Sequence, residues 1–224
     1  ESELDKSALT YLTDCGKTMR IPNIVFLIEG ERKIVVDTSF ESVEKTKQIH
    51  NQRVWRSKEE EVDQALKNIQ VDPREVEIVI FTHLHYDHCG NNHLFSKARF
   101  IVQREELRNA FVPTSGQETA YFSPIIGATP SFLGTKFELV QGDVKITEGI
   151  SVITTPGHTP GSQAVLVETT KGVYCIAGDV VPLYENVEKN IPSGYHDSVQ
   201  HCYRSIEKIR RLSHYVIPGH EPAL

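Results

Sequence analysis

Three imidazoles and a carboxylate crowd into six residues, His83-Leu84-His85-Tyr86-Asp87-His88. So dense a polar run is costly to place, because each side chain must leave the apolar core and face one point. Imidazole nitrogens and carboxylate oxygens are the donors that suit zinc, iron and similar ions, so the run points to a bound metal with positions left open for water. Three further pieces have matching form. Thr155-Pro156-Gly157-His158-Thr159-Pro160-Gly161 presents a histidine on a tight turn, Ala177-Gly178-Asp179 ends a strand on an aspartate, and Ile217-Pro218-Gly219-His220 ends the last strand on a histidine. Alone each is weak, since a histidine after Pro-Gly is commonly a surface residue and a strand-end aspartate commonly a cap. Together they gain weight, because strand ends from both halves can converge on one edge of a sandwich. The other five histidines, His50, His93, His196, His201 and His214, read as non-ligands.

The elements that must position these residues alternate between short strands and helices. Residues 76–81 (VEIVIF) read as a buried strand that delivers the His-rich run at its C-terminal end. Before it, 23–29 and 33–37 form an expected hairpin, 41–52 is helix-prone, and Ser57 with Glu60 reads as a capping box for an amphipathic helix over 58–70. After it come a strand at 99–103, a helix at 104–110, and a stretch at 111–134 too long for a structureless loop, read as a lid or pocket wall. Short strands follow at 137–140, 143–147, 150–154, 162–168 and 172–177, then a helix at 197–212 capped by Asp197, and a last strand at 215–217. Strands dominate both halves, with helices after each group. That order predicts two packed sheets with helices outside.

Composition narrows the class. A chain of 224 residues with 39% hydrophobic and 24% charged residues fits one globular domain over 1–224. A net charge of -6 with scattered Lys and Arg argues against a nucleic-acid partner, and no apolar run reaches the length of a membrane span. The polar, acidic opening residues do not read as a signal peptide, and four cysteines without CxxC spacing read as reduced, which together predict a cytoplasmic protein. The expected partner is a small-molecule substrate, and the chain a monomer or homodimer.

The set HLHYDH, TPGHTPG, GD and PGH, in that order, resembles the two-metal branch of the metallo-β-lactamase superfamily, and within it the N-acyl homoserine lactonases; IVVDTSF and IVQREE extend the likeness over nearly the whole chain. The resemblance implies an α/β, four-layer αββα sandwich of two mixed sheets packed face to face. It gives His83, His85 and His158 to one divalent ion and Asp87, His88 and His220 to the other, with Asp179 bridging. Zinc is the expected metal, and Fe, Mn and Co suit the same donors. The implied reaction is attack by a metal-bridged hydroxide on an ester-like carbonyl, a lactone of the N-acyl homoserine type. Thioester, amide and carbamate hydrolysis are the alternatives. Metal coordination lowers a bound water's pKa to about 7, so a nucleophile exists at neutral pH.

The resemblance implies that Asp37 orients a metal ligand; an ordinary strand-end cap is the other reading. Asp87 and Asp179 are the expected acid–base carboxylates. The lactonases carry a substrate-facing Tyr three residues after the bridging Asp, where this chain has Pro182. Tyr184 either takes over that catalytic and substrate-binding role or lies on the surface. Tyr86, between ligands, is expected to line the substrate pocket. Phe111 and Phe122 are candidates for an apolar pocket wall, as are Tyr121 and Phe132, with packing beneath a loop as the other reading.

Overall fold

The computed structural model describes residues 1–50 and 53–224. In chain order the first half gives β1 (Ser2–Asp5), β2 (Thr18–Ile21), β3 (Phe26–Glu29), β4 (Lys33–Val36), α1 (Val43–His50), β5 (Arg53–Val54), α2 (Val62–Asn68), β6 (Ile78–Ile80), β7 (Arg99–Gln103), α3 (Arg104–Phe111) and β8 (Phe137–Val140). The second gives β9 (Val144–Thr147), β10 (Ile150–Thr154), β11 (Gln163–Thr169), β12 (Gly172–Ile176), α4 (Tyr184–Lys189), α5 (Val199–Leu212) and β13 (Tyr215–Ile217).

Two five-stranded sheets form, in the orders β3-β4-β6-β7-β8 and β13-β12-β11-β10-β9. Both are mixed. The first is parallel except for the β3–β4 hairpin, and the second antiparallel except for β12–β13. Alternation along the strands explains why they stack. Ile34, Val36, Ile78, Ile80 and Ile101 face Ile150, Val152, Val165 and Ile176 in a dry layer between the sheets. The intervening residues Val35, Val79 and Val102 point outward and pack with Val62 and Leu66 of α2 and Ala110 of α3. On the far side Ile153, Ala164 and Cys175 pack against Cys202, Ile206 and Ile209, which recur along one face of α5. Helix, sheet, sheet and helix make four layers, as the sequence predicts.

Several boundaries shift. The 41–52 helix is observed as Val43–His50, and its expected last two residues lie outside the described residues. The expected helix over 58–70 starts only at Val62. The Ser57 N–H does donate to the Glu60 carboxylate at 2.6 Å, but the exposed run 57–61 turns instead of coiling. The helix begins where burial against the sheet begins. For α5 the cap is Ser198, whose hydroxyl accepts from the His201 N–H. Asp197 instead gives its own N–H to the Gly157 carbonyl at 2.8 Å. A third sheet, β2-β1-β5, has no counterpart in the sequence reading, because its strands are short and β1 is largely polar. Among the described residues no helix is long and apolar enough to cross a membrane.

Ile80 is fully buried between the sheets. Ile80→Ala is expected to destabilise the chain by about 2–5 kcal/mol in urea unfolding without changing the m-value. A loss below about 1 kcal/mol would mean that the two sheets do not interlock there.

Candidate metal centre

Each donor sits just past the end of a strand. The His-rich run follows β6, His158 lies in the turn between β10 and β11, Asp179 follows β12, and His220 follows β13. Because β6 and β12 are interior to different sheets, their ends bring the two halves to one edge of the sandwich. His83 Nε2 and His158 Nε2 each lie 3.0 Å from His85 Nδ1. An ion bound tetrahedrally at 2.0–2.1 Å from imidazole nitrogens sets them about 3.3 Å apart, so these three rings are spaced as ligands of one ion. His83, His88 and Asp179 form a second cluster, and Asp87, His88 and His220 a third, each with its ligand atoms within 4.8 Å of one another.

The outer nitrogens fix the inner ones. His158 Nδ1 donates to the Tyr195 carbonyl at 2.7 Å, and His220 Nδ1 to the Pro22 carbonyl at 2.8 Å. A carbonyl only accepts, so each of these rings carries its proton on Nδ1 and turns Nε2 inward. His88 Nδ1 donates to Asp37 Oδ2 at 2.8 Å. The same oxygen accepts from the Thr82 hydroxyl at 2.7 Å, while Asp37 Oδ1 accepts from the Thr82 N–H. With its hydrogen committed, the Thr82 hydroxyl accepts from His83 Nδ1 at 3.0 Å. Asp37 thus orients His88 directly and His83 through Thr82, which is the ligand-orienting alternative of the sequence reading.

Asp179 stands between the clusters. Its Oδ2 is 3.0 Å from His220 Nε2 and 3.6 Å from His158 Nε2, and its Oδ1 is 3.5 Å from His88 Nε2. Burial alone would raise the Asp179 pKa, but the His220 and His88 imidazoles hold it well below the usual carboxylate range. Burial pushes His83, His85 and His158 down, so these rings stay neutral. His88 and His220 would also fall on burial, yet the facing carboxylates, Asp179 foremost, hold both up. Cation binding there must release those protons. His88 Nε2 and Asp179 Oδ1 are buried with no hydrogen-bond partner among the described residues. A buried unpaired acceptor facing a buried unpaired nitrogen fits a divalent cation between them.

The donors open onto a cavity of about 130 Å³. His85, Asp87, His158, Asp179 and His220 form its floor, while Leu4, Leu9 and Ile21 of the N-terminal segment form an apolar roof. Tyr86 lines it, as expected from its place between ligands, and so does Pro182. Tyr184 is not among the lining residues. It opens α4, where its N–H donates to the Glu221 carboxylate. A second phenol that lines the cavity, beside Tyr86, is Tyr195, with its ring 5.8 Å from those of His85 and His158. Phe111 is 49% exposed at the end of α3, and Phe122 is fully buried behind Tyr86, stacked on it at 4.8 Å. Neither lines the cavity. The 111–134 stretch acts as a wall through Ala120 and packs the rest of its aromatics inward, Tyr121 beneath His85 at 4.5 Å and Phe132 in the core.

The family model of the metallo-beta-lactamase superfamily matches residues 18–220. The chain belongs to that superfamily. An N-acyl homoserine lactonase of Bacillus cereus is 28% identical to it, over 96% of this chain and 84% of that one. A probable metallo-hydrolase of Methanocaldococcus jannaschii is 30% identical, over 84% of this chain and 70% of that one. Among solved structures, a Bacillus thuringiensis lactonase variant with N-decanoyl-L-homoserine at its active site superposes with a TM-score of 0.79 at 23% identity, covering 99% and 90% of the two chains. Fold, family and the buried His/Asp clusters agree on a metal-dependent hydrolase.

One residue supports this superfamily site without touching the inner donors, and the sequence reading missed it. Glu106 of α3 is fully buried beneath both histidine loops. Its Oε1 accepts from the Leu84 N–H and the Tyr121 hydroxyl, both at 2.8 Å, and its Oε2 from the Thr159 hydroxyl at 2.6 Å. It therefore ties the loop holding His83 and His85 to the loop holding His158. The glycines of TPGHTPG serve the same packing. A Cβ on Gly161 would lie 2.0 Å from the Glu106 nitrogen, and one on Gly157 2.5 Å from the Cys202 nitrogen of α5. The available signal was a carboxylate on the apolar side of α3, four residues before the buried Ala110. Glu106→Ala is expected to weaken zinc binding about 10–100-fold by chelator competition. Glu106→Gln, which keeps one accepting oxygen, should lose less, and an unchanged affinity in the alanine variant would show that the staple is dispensable.

Proposed function

We propose that this superfamily member is a dinuclear lactonase acting on N-acyl homoserine lactone-like esters. His83, His85 and His158 hold one divalent ion, zinc being the expected metal, and Asp87, His88 and His220 hold the other, with Asp179 shared. The observation that carries the reading is the position of Asp179, whose two oxygens face donors of both triads within 3.6 Å. When bound, such a pair of ions supplies an acidified water at neutral pH and a Lewis acid for the ester oxygens.

This chain's residues do the rest. Asp179, ionised and out of water, is placed to take a proton from the incoming nucleophile and return it to the departing alcohol. Asp87 balances charge on the opposite side. The roof of Leu4, Leu9 and Ile21 shields the reacting carbonyl from bulk water and offers an apolar face to an acyl chain. Pro182 leaves no phenol at the position where the resemblance expects one, and Tyr86 and Tyr195, not Tyr184, are the phenols beside the floor. Burial pushes the Tyr195 hydroxyl up to about 12, so it stays protonated at neutral pH and donates to the Gly116 carbonyl at 3.2 Å. The lactone assignment draws support from the Bacillus cereus relative, an N-acyl homoserine lactonase, and from the N-decanoyl-L-homoserine bound in the Bacillus thuringiensis structure.

A hydrolysis panel of N-acyl homoserine lactones, thioesters, β-lactams and amides tests the proposal. Lactone turnover that chelation abolishes and zinc restores is the expected result, with Asp179→Asn reducing kcat/KM by about 10²–10⁴-fold. Turnover confined to thioesters or β-lactams would overturn the substrate assignment.

A further inference from the structure

His50, the last residue of α1, lies in the same cavity as the five floor donors, although nothing in its sequence context marks it. Its ring packs 4.4 Å from that of Tyr86 and 5.8 Å from that of Phe122. The backbone carbonyl of Thr119 favours a proton on the ring, whereas Nε2 is buried with no partner among the described residues. A neutral ring with its proton on Nδ1, towards Thr119, has Nε2 as its acceptor. Burial pushes the pKa of the ring down and keeps it neutral. A buried acceptor without a donor is unfavourable, and sites that tolerate one commonly reserve it for a ligand.

Apart from the metal-facing donors, where His85 Nε2 and Asp179 Oδ1 are also unpaired among the described residues, the hydroxyls of Ser2, Ser193 and Tyr195 around the cavity are engaged. The Ser2 hydroxyl accepts from Asn23, the Ser193 hydroxyl donates to the Tyr195 carbonyl, and the Tyr195 hydroxyl donates to the Gly116 carbonyl. Leu4, Ala8, Leu9, Ile21, Ala120 and Pro182 offer no side-chain hydrogen bond. A substrate whose carbonyl sits over the floor therefore meets an apolar surround with an acceptor at His50 Nε2.

We propose that His50 is a specificity-determining residue that accepts a hydrogen bond from an N–H on the substrate outside its scissile carbonyl. This inference rests on the lactonase reading, in which the acyl amide supplies that N–H. A lactone lacking it would leave the acceptor buried and unpaired, so the site selects for the amide.

The test compares kcat/KM for an N-acyl homoserine lactone and for a γ-alkyl lactone of matched length with the amide replaced by methylenes. The wild type is expected to favour the amide substrate at least tenfold. The ratio should fall towards one in His50→Leu and persist in His50→Gln, whose side-chain oxygen can replace the Nε2 acceptor. The ratio is taken within each variant, so partial loss of folded protein does not affect it. A ratio unchanged in His50→Leu, or a wild type active on both lactones without preference, overturns the inference alone. A wild type that hydrolyses neither lactone overturns the lactonase reading and this inference with it.

Discussion

Crowding of the inner nitrogens is the constraint on which the rest of the structure depends. His83 Nε2 and His158 Nε2 each sit 3.0 Å from His85 Nδ1, and all three residues are buried. Neutral imidazoles so placed turn lone pairs at one another, an arrangement that a cation between the inner nitrogens would relieve. The outer nitrogens of His83 and His158 are held by protein, whereas His85 Nε2 has no partner among the described residues. The outer partners are the Tyr195 and Pro22 carbonyls, the Asp37 carboxylate, and the Thr82 hydroxyl that Asp37 has already polarised. Each accepts from its ring. The site is therefore specified from outside inward, by partners of which only Tyr195 lines the cavity.

Much of the remaining architecture supplies those acceptors. Pro22 follows β2, so the small N-terminal sheet both roofs the cavity and sets the tautomer of His220. The Gly194-Tyr195 turn is held to that same segment, with the Tyr195 N–H on the Ala8 carbonyl at 2.7 Å, and its own carbonyl then orients His158. Asp37 itself has φ +60 and Ser39 φ +58, left-handed backbone that an L side chain adopts at some cost. Left-handed backbone at Ser39 is a conformation that suits glycine, so Asp37-Thr38-Ser39 carries strain there. Glu106 completes the frame from below by joining the two histidine loops.

The donor set was legible in the sequence because ligand residues cluster in type and follow strand ends, a pattern that composition alone does not produce. The layers were legible too, since Ile34, Val35 and Val36 alternate faces in a single run. Tertiary partners were harder to foresee. The helix expected over 58–70 was shortened because charged residues 58–61 have nothing to pack on, and the β2-β1-β5 sheet was invisible because its strands are too short to show a period. Sequence proximity alone suggests Tyr184, Phe111 and Phe122, but a helix start, an exposed edge and a buried stack keep them from the cavity. Tyr195 and His50 reach it from loops and helix ends whose direction no local signal encodes.

The account stands on two cations sharing Asp179. Zinc titration of the chelator-stripped chain, followed by calorimetry with metal analysis of the same sample, tests this most directly. Two ions per chain are expected, with proton release on filling the His88–His220 side and loss of the second ion in Asp179→Asn. A single ion per chain, or two ions bound equally well without the Asp179 carboxylate, would contradict it.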